Sequence, residues 1–313
     1  MKRLPFMDRL VVPVIAAPML RVSGIELVSA ACAAGVIGAF PTANCASLEE
    51  FEAWLQRLNR ETAGDRRSAP YCPNLIMRRD PARLKAEVEL IVRHRTDLVI
   101  TSVGSPASVI PPLHDGGCLV LADVASVHHA ERALEAGADG LVLLTAGAGG
   151  HTGWANPFAF VRAVRALFDG PIVLAGGLSD GFALKAASVL GCDLGSMGTR
   201  FIATQESLGS VPYKQMLERS SLDDVMATRA FTGLPANFLK PSILQVGLDP
   251  AALDETVSVQ EARNRFGGGS EGAVIQRWAD LWSAGHSVSG VTSVPPVAEL
   301  VQTLRHEFNN GSA

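Results

Sequence analysis

The sequence predicts an α/β fold, a (β/α)8 TIM barrel followed by a C-terminal helical addition. Three observations point to it. Short apolar or β-branched runs alternate with amphipathic segments of helical length from residue 11 to about residue 200, the pattern of βαβ units around a parallel sheet. The alternation yields eight strand candidates and no long crossover of the kind that divides an open doubly wound sheet. Finally, Gly35, Gly137, Gly170 and Gly191 each end a helical segment directly before a strand, which suits a helix C-cap where φ must be positive.

Taken in order, VVPVIAAPM (11–19) reads as the first strand and GIELVSAACAAG (24–35) as the first helix. VIGAF (36–40) precedes the helical SLEEFEAWLQRLNRE (47–61), and APYCPNLIM (69–77) precedes PARLKAEVELIVRHR (81–95). The fourth strand, DLVITSVG (97–104), leads into a Pro-rich segment, and the fifth, CLVLADVA (118–125), into SVHHAERALEAG. ADGLVLLTAG (138–147) precedes NPFAFVRAVRALF, PIVLAGG (171–177) precedes DGFALKAASVLG, and CDLGSMGT (192–199) closes the series. Residues 1–205 are thus assigned to the barrel and 206–313 to the addition, whose helix-like stretches are YKQMLERSSLDDVMATRAF, EGAVIQRWADLWSAG and PPVAELVQTLRHEF, with FGGGSEG (266–272) as a flexible linker.

Composition narrows the function classes. With 313 residues, 48% of them hydrophobic and 19% charged, the chain is long enough to bury about three quarters of its unfolded surface. A net charge of -4 and basic clusters no longer than pairs such as Arg66-Arg67 and Arg78-Arg79 argue against a nucleic-acid partner. Five cysteines, Cys32, Cys45, Cys72, Cys118 and Cys192, never fall in C-x-x-C, so neither a disulfide framework nor a zinc site is expected, and a cytoplasmic location fits. The N-terminus lacks an apolar signal core, and the longest apolar stretch, 30–41, is too short to span a bilayer. No membrane association is expected, and a homo-oligomer stays open.

The chemistry-bearing residues fall at strand C-termini, where a barrel places its active face. The seventh strand ends Ala175-Gly176-Gly177 and the eighth ends Met197-Gly198-Thr199. Glycines there allow a phosphate to approach backbone N–H groups, and a following helix start adds a favourable dipole end, though tight turns alone also account for them. After the sixth strand comes Thr145-Ala146-Gly147-Ala148-Gly149-Gly150-His151-Thr152-Gly153. A histidine in so mobile a loop either meets a ligand, where it exchanges protons near neutrality, or satisfies backbone groups of the turn. The stretch is not a dinucleotide fingerprint: its third glycine comes one position late and no acidic residue ends the following strand.

Asn74 and Asp123 also sit near strand ends, as ligand contacts or turn residues, whereas His128-His129 read as exposed helix positions and Trp282-Ser283-Ala284-Gly285 as packing. Met19, Trp154 and Phe158 are candidates for an apolar pocket lining. No G-x-S-x-G, H-E-x-x-H or Walker A motif occurs, which sets hydrolase and NTPase readings aside, and no metal ligands are assigned.

In this order the motifs resemble the nitronate monooxygenase family, formerly called 2-nitropropane dioxygenases. The resemblance rests on Ala17-Pro18-Met19, Asn74, Gly149-Gly150-His151-Thr152-Gly153, Ala175-Gly176-Gly177 with Asp180-Gly181, and Met197-Gly198-Thr199-Arg200-Phe201. It continues through Ala230-Phe231-Thr232-Gly233-Leu234-Pro235-Ala236 and Trp282-Ser283-Ala284-Gly285, covering about residues 11–300. It implies an FMN cofactor whose phosphate lies on Gly176, Gly177, Gly198 and Thr199 and whose ring lies near Met19, Asn74 and Gly149, with His151 beside the substrate. It also implies oxidation of alkyl nitronates or nitroalkanes with O2 to a carbonyl compound and nitrite. Two positions depart from the family's pattern: Leu121-Ala122-Asp123 replaces a strand-five Lys, and Gly147 stands where many members carry Glu. The alternatives are an NAD(P)H-driven FMN reductase of a quinone or enoyl thioester, and a non-catalytic flavin-binding protein.

Overall fold

A computed structural model describes residues 4–63, 68–267 and 275–310. Eight parallel strands close into a barrel: β1 (Val14–Ala16), β2 (Ile37–Pro41), β3 (Tyr71–Ile76), β4 (Leu98–Ser102), β5 (Leu119–Val124), β6 (Gly140–Leu144), β8 (Ile172–Ala175) and β9 (Leu194–Met197). Closure comes from β9 pairing with β1, Ile15 opposite Ser196 and Ala16 opposite Met197. Between β6 and β8 lies an additional two-residue strand, β7 (Gly150–His151), which stands outside the barrel wall.

Side chains alternate across each strand, so every second residue points into the barrel. Ile15, Ile37, Cys72, Ile100, Leu121, Val142, Val173 and Leu194 fill the interior, with Leu4 and Phe6 packed against them. The other parity, including Val14, Phe40, Leu75, Val99, Val120, Leu143 and Leu174, meets the helices in a larger apolar layer. Those helices are α1 (Ile25–Ala33), α2 (Leu48–Ala63), α3 (Pro81–Arg93), α4 (Ile110–Asp115), α5 (Val127–Glu135), α6 (Pro157–Arg165) and α7 (Gly181–Leu190).

Their starts are set locally by capping side chains: Asp80 accepts from Arg83 N–H, Ser126 from His129 N–H, Asn156 from Phe158 N–H and Asp180 from Ala183 N–H. At the opposite ends, Gly35, Gly137 and Gly191 have positive φ as expected. Gly170 does not; there the constraint is space, since a Cβ would meet the Phe168 ring at 2.2 Å.

Beyond α8 (Thr199–Ile202) come α9 (Val211–Arg219), β10 (Val225–Thr228), β11 (Ala236–Leu239), α10 (Lys240–Gln245), α11 (Val259–Phe266) and α12 (Val297–Asn310). The addition carries helices, but not all of those expected. YKQMLERSSLDDVMATRAF is helical only to Arg219; Val225–Thr228 instead pairs antiparallel with β11, which in turn pairs with β7. The described part of EGAVIQRWADLWSAG is a turn rather than a helix, because Trp278 adopts φ 66° and stacks on Phe238, and Asp280 accepts from Gln276 N–H. Most of FGGGSEG lies outside the described residues.

The last helix completes the outer ring. With only four residues in α8, the space between α7 and α1 is taken by α12, whose Val297, Leu300, Val301 and Leu304 join the main core. Packing thus crosses residue 205, and barrel and addition share that core. All five cysteines are buried and free, and among the described residues no helix is long and apolar enough to cross a membrane.

Candidate active site

Continuing the inward parity by one step on every barrel strand but β2 gives Ala17, Asn74, Ser102, Asp123, Leu144, Ala175 and Ser196, which form the floor of a cavity of about 1570 Å³ at the strand C-termini. That is larger than the roughly 300–1,000 Å³ of a pocket for one small ligand, so there is room for a cofactor and a substrate. All the sequence-predicted site residues converge on it. Ala17, Pro18 and Met19 come from the end of β1, Asn74 from β3, and Gly149, Gly150 and His151 from the loop after β6. Ala175, Gly176 and Gly177 follow β8, and Gly198 and Thr199 follow β9.

Two of these segments form a cradle. At Gly177, φ is +77° and a Cβ would meet nothing within 4 Å, so the position is both conformationally restricted to glycine and open to a bound group. At Gly198 the nearest atom to a Cβ would be Met19 Sδ at 3.5 Å, which fixes the β1 loop beside it. One expectation is corrected: the start of α7 is not open to an anion. Carboxylates already occupy it, with Asp180 on Ala183 N–H at 2.7 Å and Glu307 on Gly181 N–H at 2.9 Å.

The glycine-rich loop starts against the cradle, where a Cβ on Gly147 would lie 3.0 Å from Gly177 N, and is held as part of a cover. His151 pairs with Ala236 and Gly150 with Asn237, so β7 hangs from β10 and β11. The Asn237 side-chain amide donates to Ala146 O at 2.9 Å and Ala148 O at 2.7 Å, while Thr152 Oγ1 donates to Thr145 O at 2.7 Å. Gly147 O accepts from His286 N–H, and a Cβ on Gly149 would lie 2.7 Å from Gly285 N, so the Trp282-Ser283-Ala284-Gly285 segment packs directly on the loop. The His151 ring meets Trp278 edge-on at 6.0 Å, and Trp278 stacks on Phe238 at 5.0 Å.

The wall residues are less free. The Asn74 side chain is tied into the wall, its amide donating to Ile100 O at 3.2 Å and Ser102 Oγ at 3.1 Å and its Oδ1 lying 3.3 Å from the same Ser102 hydroxyl. Asp123 faces the cavity from β5 with no hydrogen-bond or ion-pair partner among the described residues.

Burial acts on the two titratable side chains in opposite senses. It pulls the His151 imidazole down to about 4, with repulsion from Arg277 adding to it, and pushes the Asp123 carboxyl up to about 7. His151, at 6.5 when unfolded, contributes stability that is present above pH 6.5 and lost as pH falls through 4. Asp123, at 3.8 when unfolded, contributes stability that is present below pH 3.8 and lost as pH rises through 7. In urea melts of the cofactor-free chain, His151→Asn is therefore expected to lose stability relative to wild type as pH rises from 4 to 6.5. Asp123→Asn is expected to gain it from pH 4 to 7. Parallel curves for all three proteins would contradict this electrostatic account.

Two residues that build the cover escape sequence reading. Asn237 lies one residue past the Ala230–Ala236 motif, and Trp278 lies in a stretch with a helical pattern. Met19 and Trp154 do line the cavity, whereas Phe158 is surface, 59% exposed. His128 and His129, on exposed α5 positions, reach the outer rim. Trp282 both packs, stacked on Tyr213 at 5.1 Å, and lines the cavity.

Comparison with known proteins agrees with this geometry. The chain is 28% identical over 239 residues to a (3aS,4S,5R,7aS)-5-hydroxy-7a-methyl-1-oxo-octahydro-1H-indene-4-carboxyl-CoA dehydrogenase of Mycobacterium tuberculosis, a match covering 74% of this chain but only 64% of that protein. It is 27% identical to a nitronate monooxygenase of Pseudomonas aeruginosa, with 95% of this chain and 96% of that one covered. Among solved structures, FabK from Thermotoga maritima shares the fold with a TM-score of 0.81 at 24% identity, covering 99% and 97% of the two chains. A family model described as nitronate monooxygenase matches residues 5–307. The chain therefore belongs to the nitronate monooxygenase family.

Proposed function

We propose that the protein oxidises alkyl nitronates with O2 to a carbonyl compound and nitrite, in the cytoplasm. The observation that carries this reading is His151, a neutral imidazole that faces the cavity from the cover sheet. The residues present fit FMN, because the open Gly177 position beside Gly198 leaves a recess that any side chain would fill. In this reading the backbone of Gly176, Gly177, Gly198 and Thr199 holds the phosphate. Ala17, Pro18, Met19, Asn74, Ala175, Gly149 and Gly150 surround the ring. The free, buried cysteines support a reducing compartment.

Bound FMN supplies the electron acceptor and the place where O2 reacts. The chain's own residues position the substrate and exclude water. The β7–β11 cover and Trp278 close the cavity over the substrate, and the neutral His151 ring, which carries one N–H and one lone pair, stands beside it. A nitronate already carries the charge that proton removal from a nitroalkane would create, so what it needs from His151 is a hydrogen-bond donor to its nitro oxygens. A neutral nitroalkane needs a base instead, and an imidazole held down to about 4 is a weak one.

The reading therefore expects selectivity. In oxygen-uptake assays at pH 7, kcat/KM for propyl-2-nitronate should exceed that for 2-nitropropane by about a hundredfold or more. Equal values for the two would contradict this role of His151.

A further inference from the structure

We propose that Asp123 is a positioning residue for the cofactor, its carboxyl pairing with the imide edge of the bound flavin, where an N–H lies beside a ring carbonyl. The proposal rests on FMN as the cofactor and not on nitronates as the substrate.

Asp123 has the inward parity of Leu119 and Leu121 on β5, so its carboxyl projects into the mouth rather than toward the helices. Its neighbours in the wall offer it little. Its register partner on β6 is Val142, and on β4 the adjacent inward residue, Ser102, is already engaged with Asn74. The contrast with the fully buried Glu87 is direct: it is met by Arg79, Arg83 and Thr42 at 2.8–2.9 Å. A half-buried carboxyl that faces a cavity, without a cation or a donor from the protein, takes its partner from whatever fills the cavity.

The chemistry of that partner follows. Burial alone, with no charged neighbour contributing, pushes the Asp123 carboxyl up to about 7, so near neutrality it offers an O–H donor beside a C=O acceptor. An imide edge presents the complementary pair. A nitronate, which carries only acceptors on its charged end, does not, and Asp123 belongs to the barrel wall while His151 belongs to the cover.

Other titratable and charged groups share the mouth. Beneath Asp123 on β3 is Cys72, which burial holds well above its usual range. His151 lies in the cover, and His128, His129, Asp80, Arg78, Arg79, Arg132, Arg263 and Arg277 stand around the rim. All of these are common to wild type and an Asp123 variant, so a comparison between the two isolates Asp123.

The test uses FMN-loaded protein and measures the FMN dissociation constant from pH 6 to 8. In wild type it should rise about tenfold across that range, as ionisation removes the donor and sets a negative charge beside a carbonyl oxygen. Asp123→Asn, whose amide keeps a donor beside an acceptor at every pH, should lose most of that rise. Asp123→Leu should bind FMN about tenfold more weakly than wild type at pH 6 and shift the flavin midpoint potential. An Asn variant with the wild-type pH dependence, or a folded Leu variant with wild-type FMN affinity and potential, would overturn the proposal. If the Leu variant does not fold, the Asn comparison decides alone. None of these readouts needs a nitro compound, so they are decided separately from nitronate oxidation.

Discussion

Replacing His151 with Ala should lower kcat/KM for propyl-2-nitronate by about 10²- to 10³-fold while bound FMN stays at the wild-type level. The magnitude is that of removing one preorganised hydrogen-bond donor from a site that excludes water. The cofactor should be unaffected because His151 hangs from β11 in the cover, whereas the cradle belongs to β8 and β9. Removing the ring also leaves a gap against Trp278, but Trp278 is still held by its stack on Phe238. Flavin absorbance and a thermal melt check the integrity of the variant, and oxygen uptake gives the rate. Full turnover by an FMN-loaded His151→Ala protein would remove His151 from the reaction.

The second large effect is expected at Gly177. Gly177→Val should reduce retained FMN to less than about a tenth of wild type, because its branched side chain enters the recess where the phosphate is proposed to sit. Strain contributes too, since φ is +77° and a non-glycine residue there costs roughly 1–2 kcal/mol. Gly247 separates the two causes. It has φ +79° and, like Gly177, nothing within 4 Å of a Cβ, but it does not line the cavity. Gly247→Val should therefore show the strain, as a comparable fall in stability, and keep its flavin. Wild-type FMN content in a folded Gly177→Val protein would place the phosphate elsewhere.

What could be read from the sequence divides along a physical line. The barrel strands and their helices are local patterns: β3 is legible in Tyr71–Ile76 and α3 in the proline start and apolar spacing of Pro81–Arg93, each without reference to the rest of the chain. The floor of the site follows from the same alternation, which is why Asn74 and Asp123 were recognisable at strand ends. The cover was not legible, because it depends on residues distant in the chain. Gly150 and His151 read as a loop until Asn237 and Ala236 pair with them, and Val225–Thr228 reads as the end of a helix until β11 lies beside it.

The start of α7 makes the same point. Asp180 is a visible cap, but Glu307 reaches Gly181 N–H from α12, 126 residues away, and fills the position that a helix start would otherwise offer an anion. Likewise, the pattern around Trp278 is helical, and stacking on Phe238 overrides it. Sequence pattern thus locates the residues that line the cavity, and long-range pairing decides which groups close over it.

The measurement that tests nitronate oxidation most directly is an anaerobic absorbance titration of the FMN-loaded protein, with propyl-2-nitronate added to one sample and NADH or NADPH to another. The account expects the nitronate to change the flavin spectrum and the nucleotides to leave it unchanged. A flavin that ignores the nitronate and is bleached by a nucleotide would contradict it and identify the protein as a reductase built on the same barrel.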